Sequence, residues 1–266
     1  MSIRIVAAST LFAIIMIVAA GCSSSAGYST QAAAATPVPS PTPASLAGYA
    51  QPDLGGEHVS FTTSDGVLLR GHLYGRGATG VILAHMYPAD QSDWTDFAKV
   101  LADHGYQALT FDFRGFTESE GRSGTEFADR DLLAAYEFMR PRVPTIFFAG
   151  ASLGAEAAIL VAVGNPVAGV ICISVPSSFG GLDVSQAVRE VKAPILFVTS
   201  TGDALVAGQP EILYKSAKAP KSFQSLPGSA HGTAILHGPH SQELQSLMLR
   251  FIAANQPHAS ANEDRQ

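Results

Sequence analysis

Cysteine is nearly absent: the 266 residues hold two, Cys22 and Cys172. Two cysteines make no disulfide framework, and no C-x-x-C pair or Cys/His cluster stands at zinc-ligand spacing. His237-x-x-His240 is too isolated to propose a metal site, so no metal and no other cofactor is expected. Charge is scarce too, at 14 % Asp, Glu, Lys and Arg, with a formal net charge of -6. Its basic groups form no patch or stripe, so the electrostatic footprint of a nucleic-acid binder is missing. What is plentiful is apolar: 47 % hydrophobic residues support a sizeable core. The length allows one domain of ordinary size with extra segments.

The first extra segment is N-terminal. Met1 to Arg4 carries one positive charge, Ile5 to Ala20 is a mostly apolar run, and Ala19-Ala20-Gly21-Cys22 follows. Small residues ahead of a cysteine resemble the lipobox of bacterial lipoproteins, in which that cysteine is lipidated and becomes the new N-terminus. Ala19 departs from the pattern, standing where a larger aliphatic residue is more usual. A secretory signal cleaved nearby and a retained anchor are the alternatives, the run being short for a span of about 20 residues. All three readings export the protein, and the domain would meet a membrane only through this anchor. Residues 23–53 are rich in Ser, Ala, Thr and Pro, without apolar periodicity, and read as a tether. A domain over 54–256 and a polar tail over 257–266 complete the chain. Cys172, inside Val170-Ile-Cys-Ile173, is expected as a buried structural thiol.

Within the domain, His58–Thr63 and Val67–Tyr74 flank Ser64-Asp65-Gly66 and predict an antiparallel hairpin. Short apolar runs then alternate with helical spacing. Strands are expected at 79–85, 106–112, 145–151, 167–174, 195–199 and 221–226. Helices are expected at 94–104, 127–139, after Ser152, at 184–191, at 211–217 and at 241–254. This alternation predicts an α/β fold: a mostly parallel central sheet with helices on both faces and an antiparallel N-terminal edge. In such sheets the working residues gather beyond the carboxyl ends of the strands.

One stretch stands out, Pro144-Thr-Ile-Phe-Phe-Ala-Gly150-Ala-Ser152-Leu-Gly154, with an Ala-rich helical run behind it. It reads as strand, sharp turn and helix, with a serine at the tip and glycines where backbones approach. A serine hydroxyl is a poor nucleophile at neutral pH and needs a base oriented by a carboxylate. Asp203 ends the strand that starts at Ile195, and His231 sits in the turn-rich loop Pro227-Gly-Ser-Ala-His-Gly232. Between Ser152 and His231 no other acidic residue ends a strand; Asp183 follows a glycine-rich loop. His237 and His240 are expected to face solvent.

With these residues in place, the chain from about Glu57 to Ala254 resembles an α/β-hydrolase fold serine esterase of the dienelactone-hydrolase-like and small bacterial esterase kind. Leu83-Ala-His85-Met86 stands where that family has His-Gly after its third strand. Phe111-Asp-Phe-Arg-Gly115 with Ser119 resembles its fourth-strand turn, Ser200–Val206 its acid loop and Ala230-His231-Gly232 its histidine loop. Met86 replaces the usual glycine, Phe116-Thr117 departs from the expected turn, and dienelactone hydrolases proper attack with cysteine.

The resemblance implies hydrolysis of a small-molecule ester through an acyl group on Ser152, with His231 as base and Asp203 as its orienter. The backbone N–H groups of Met86 and Leu153 would form the oxyanion hole. His85 is expected as a structural residue, and Asp112 and Arg114 as a salt-bridged brace. Acyl transfer, peptide or amide cleavage, and a non-catalytic binding protein on the same fold are the alternatives. The acid follows the nucleophile by only about fifty residues, leaving no room for a cap domain. An open site walled by Met86, Tyr87, Phe116, Phe179 and Leu205 is therefore expected.

Overall fold

A computed structural model of the protein describes residues 53–257. Cys22 with its surroundings, the tether before residue 53 and the tail from 258 lie outside the described residues.

Among the described residues ten strands form, in chain order: β1 (Glu57–Thr62), β2 (Leu68–Tyr74), β3 (Thr79–Ala84), β4 (Gln107–Phe111), β5 (Thr145–Ala151), β6 (Gly169–Ile173), β7 (Ser178–Phe179), β8 (Leu182–Asp183), β9 (Ile195–Ser200) and β10 (Lys221–Leu226). Eight of them make one sheet in the order β1-β2-β4-β3-β5-β6-β9-β10. The pairs β1–β2 and β2–β4 are antiparallel, and every pair from β4 to β10 is parallel. Strands β3, β5, β6 and β9 are buried almost throughout, because helices cover both faces.

Five helices do the covering: α1 (Thr95–Asp103), α2 (Ala128–Met139), α3 (Leu153–Gly164), α4 (Gln209–Ser216) and α5 (Ser241–Ala254). Side chains alternate along β5, so Ile146 and Phe148 enter one core with Leu132 of α2, Ile159 of α3 and Leu213 of α4. Phe147, Ala149 and Ala151 enter the other, with Phe97 and Leu101 of α1 and Met248 and Ile252 of α5. Helix α3 is apolar around most of its circumference, as a helix at the centre of a core must be.

The helix expected over 184–191 is reduced to a 3-10 turn, Ala187–Arg189. So short a segment cannot offset helix nucleation, and its buried anchors, Val184, Val188 and Val191, hold it in an irregular path. Between β6 and β9 lie only this turn and the small β7–β8 hairpin, so no helical cap is inserted there. A second 3-10 turn, Gln91–Trp94, precedes α1; the Asp90 carboxylate accepts the Ser92 N–H at its start.

Candidate active site

Ser152 sits between β5 and α3 with φ +48° and ψ -113°. That conformation is sparsely populated for an L-residue and costs on the order of 1–3 kcal/mol. It persists because the surroundings over-determine it. The Ser152 N–H donates to the Ile173 carbonyl at 2.9 Å, and its own carbonyl accepts the N–H groups of Ala155 and Glu156. Both flanking glycines are required by close approach. A Cβ on residue 150 would lie 2.2 Å from the Gly154 oxygen, and one on residue 154 would lie 2.3 Å from the Ala84 oxygen. The second contact presses the start of α3 onto the end of β3. This brings Met86 beside the serine turn.

Asp203 and His231 are brought together by two stitched loops. Ser200 Oγ donates to the Ala230 carbonyl at 2.7 Å, and the Gly202 N–H donates to the Gly228 carbonyl at 2.8 Å. The His231 Nδ1–H then donates to the Asp203 carboxylate, 2.9 Å from Oδ2 and 3.1 Å from Oδ1. With Nδ1 carrying the proton, Nε2 keeps its lone pair. The next residue closes the arrangement: a Cβ on Gly232 would touch Met86 Sδ at 2.6 Å and the Ala151 side chain at 3.5 Å. The histidine loop therefore lies against the neighbours of Ser152. Thr233 Oγ1 anchors it further, donating to Asp93. His237 and His240 stay outside this arrangement, 3.9 Å from Asp93 and 3.2 Å from Glu243.

Among the described residues, neither the Met86 nor the Leu153 N–H is taken by a backbone carbonyl. For Leu153 this follows from its place in the first turn of α3, where N–H groups have no intrahelical partner and the helix dipole favours negative charge. His85 lies below them, fully buried. Its Nδ1–H donates to the Met86 carbonyl at 2.8 Å and its Nε2 accepts the Phe113 N–H at 3.0 Å. Both nitrogens are thus engaged, and burial pulls its pKa down to about 4. It is a neutral strut between two loops. Above it, Phe116 lies edge-on at 5.0 Å, Tyr87 meets Phe116 at 6.0 Å, and Phe179 of β7 meets Tyr87 at 5.9 Å. These aromatics make one continuous wall. Leu205 points into solvent at 73 % exposure.

The expected Asp112–Arg114 pair is absent. Asp112 instead accepts the Gln91 N–H at 2.9 Å and the Gln91 side-chain amide at 2.7 Å. Arg114 turns the other way, between Asp131 and Asp65. The chain reverses at Phe113–Phe116, so the two side chains leave on different sides of the loop. Nothing in the sequence singles out Gln91, and Asp65 reads there only as a turn residue. A signal existed for Asp131, which shares the apolar stripe of α2 with Ala128, Leu132 and Ala135.

The sequence does not announce Glu156 either. It lies fully buried in the first turn of α3, and neither carboxyl oxygen makes a well-formed hydrogen bond. Burial pushes its pKa up to about 9, with the Phe179 N–H acting in the opposite direction. A folded-state pKa above the ordinary 4.5 means its stabilising contribution is complete below that pH and is lost as pH rises toward about 9. The urea midpoint of the wild type should therefore fall across this window. Glu156→Gln, neutral throughout, should flatten the decline, most clearly above pH 6.5, because below it the raised Asp112 carboxyl, at about 6, and the lowered His85 imidazole, at about 4, act with opposite signs. Parallel pH profiles for the two proteins would refute this assignment.

Ser152, Asp203 and His231 follow β5, β9 and β10, beyond the carboxyl ends of parallel strands, where α/β sheets place their ligands. Residues 67–228, more than half of the chain, match the model of the Alpha/beta hydrolase family. The chain belongs to the alpha/beta hydrolase family. The uncharacterized protein YfhR of Salmonella typhi is 26 % identical over 238 residues, covering 74 % of this chain and 81 % of that one. Among solved structures, an esterase of Pyrococcus furiosus superposes with a TM-score of 0.68 at 20 % identity, covering 77 % of this chain and 93 % of its own. A monoacylglycerol lipase of Paleococcus ferrophilus does so with a TM-score of 0.61 at 17 % identity, over 70 % and 99 %. At these identities the solved structures show a shared alpha/beta hydrolase fold.

Proposed function

We propose that the protein is a serine hydrolase of carboxylic esters, working through an acyl-enzyme on Ser152. The observation that carries this reading is the His231 Nδ1–H on the Asp203 carboxylate, in a loop packed against Met86 and Ala151. A carboxylate on one imidazole nitrogen orients the ring and leaves the other nitrogen as the base.

In the proposed reaction, His231 Nε2 takes the Ser152 hydroxyl proton as Oγ attacks the ester carbonyl carbon. The resulting oxyanion is received by the N–H groups of Met86 and Leu153, each stabilising it by roughly 3 kcal/mol. The alcohol departs with the proton from Nε2, and water, deprotonated by the same nitrogen, then releases the acid. Only a backbone donor is required at position 86, so Met serves chemically, while its side chain narrows the entrance. The wall of Tyr87, Phe116 and Phe179, without a helical cap, suits small or medium esters. Structural similarity to an esterase and to a monoacylglycerol lipase supports ester cleavage. Cys22 is the proposed lipid attachment, holding the domain outside the cell on its tether; mass spectrometry of the mature N-terminus tests this.

A fluorophosphonate probe should label the wild type on Ser152, and p-nitrophenyl esters should be cleaved fastest at short acyl lengths. A protein that stays unlabelled is a binding protein on this fold, and the proposal fails. Labelling without ester cleavage would point to acyl transfer or amide cleavage.

A further inference from the structure

Two strands, β4 and β3, separate β2 from the serine turn, and beyond them a second group of side chains converges. His58 on β1 and His72 on β2 are direct cross-strand partners in the antiparallel register, so their rings share one face. Their centroids are 4.2 Å apart. Glu118, in the loop after β4, completes the group: one ligand atom from each residue lies within 4.8 Å of the others.

A chain of hydrogen bonds dictates which nitrogen of His72 is available. The Asp112 carboxylate can only accept, so the Gln91 amide nitrogen must face it, at 2.7 Å. This turns the amide oxygen Oε1 toward Thr110 Oγ1, which donates to it at 3.0 Å, and toward His72 Nδ1 at 2.9 Å. An amide oxygen also only accepts, so Nδ1 carries the proton and Nε2 the lone pair. His72 is 1 % exposed, yet its Nε2 makes no hydrogen bond among the described residues. A buried imidazole held through its second nitrogen by a polar chain is the supporting arrangement of metal-binding histidines. Glu118 is held as well. Its N–H reaches Asp112 Oδ2 at 3.4 Å, while Ser119 Oγ donates to the Asp112 carbonyl and accepts the Arg70 N–H. A cavity of about 140 Å³, bounded by Gln91, Asp112, Thr117 and Glu118, adjoins the group and leaves room for water.

We propose that His58, His72 and Glu118 bind one divalent transition-metal ion, Zn²⁺ being the ion this donor set suits. Two imidazole nitrogens and a carboxylate oxygen, with water in the fourth position, match the ligand types and number of tetrahedral zinc. Bonds of about 2.0–2.1 Å place tetrahedral ligand atoms about 3.4 Å apart. The exposed His58 and half-buried Glu118 close that gap by side-chain rotation, while His72 stays in place. The ion would clamp the edge strand β1 to the loop that carries Phe116. No spacing motif announces the site, because its ligands come from three separate segments.

The test is calorimetric titration of Zn²⁺ into the full chain, stripped with chelator and free of any affinity tag, with thermal unfolding in parallel. One ion per chain is expected, with Tm rising by about 5–10 °C at a hundredfold excess over Kd. His58→Ala and Glu118→Gln should each weaken binding at least about tenfold. Both should still fold and cleave ester without the ion. His231→Ala should bind Zn²⁺ as the wild type does, which separates this site from the serine site. Unchanged affinity in His58→Ala and Glu118→Gln, or no binding by the wild type at about 100-fold molar excess, overturns the proposal.

Discussion

Ser152→Ala is expected to lower kcat for ester hydrolysis by about 10⁴- to 10⁶-fold while leaving the fold unchanged. The separation of the two effects comes from the geometry of the turn. The strained backbone at φ +48° is held by the Ser152 N–H and carbonyl and by the contacts of Gly150 and Gly154, none of which involves the hydroxyl. Alanine has the same Cβ and the same backbone demand. Ser152→Gly goes further: it removes the activity and relaxes the strain, so it should unfold at a higher urea concentration, by about 1 kcal/mol. Asp203→Asn should lower kcat by about 10⁴-fold. An amide at that position can donate to Nδ1 and favour the tautomer in which Nε2 holds the proton and is no longer a base. Because these groups act as a unit, Ser152→Ala combined with His231→Ala should be little worse than either alone. Retention of more than about 1 % of wild-type kcat by Ser152→Ala would remove the nucleophile from this account.

The largest stability effect is expected from Asp131→Ala, about 3–5 kcal/mol by urea unfolding. Arg114 is 5 % exposed, and its Nε–H and backbone N–H both donate to the Asp131 carboxylate at 2.8 Å. The Phe127 ring stacks on the guanidinium at 4.6 Å, so this charge has little water to fall back on. Removing the fully buried carboxylate leaves a buried cation with one partner, Asp65, on its solvent side. Asp65→Ala removes that outer, partly exposed partner and should cost about 1 kcal/mol or less. Comparable losses for the two variants would show that burial does not decide the pair. Asp131→Ala should also raise KM more than it lowers kcat, because Arg114 braces the reversal that presents Phe116 to the aromatic wall.

Local constraints were readable directly. Short continuous apolar runs placed the central strands and period-3.6 patterns most helices, because a strand covered on both faces is apolar throughout while a helix buries one stripe. Gly150-x-Ser152-x-Gly154 showed a tight turn, since backbones within 2.3 Å of a would-be Cβ admit only glycine. The short interval from Ser152 to Asp203 excluded a helical cap.

Polar partnership was not readable. Closeness in the chain pairs Asp112 with Arg114, yet in the fold the carboxylate meets Gln91 and the guanidinium meets Asp131. The same limit hid the buried Glu156 and the meeting of His58 and His72 with Glu118. The Ser178–Asp183 stretch likewise gave no sign that it folds back as a hairpin bringing Phe179 to Tyr87. The sequence by itself determined the layered sheet and the turn that holds Ser152 above it, because periodicity and sterics act between residues near in the chain. Only the tertiary structure decided which polar groups meet, because hydrogen-bond partners are chosen by how distant loops close on one another.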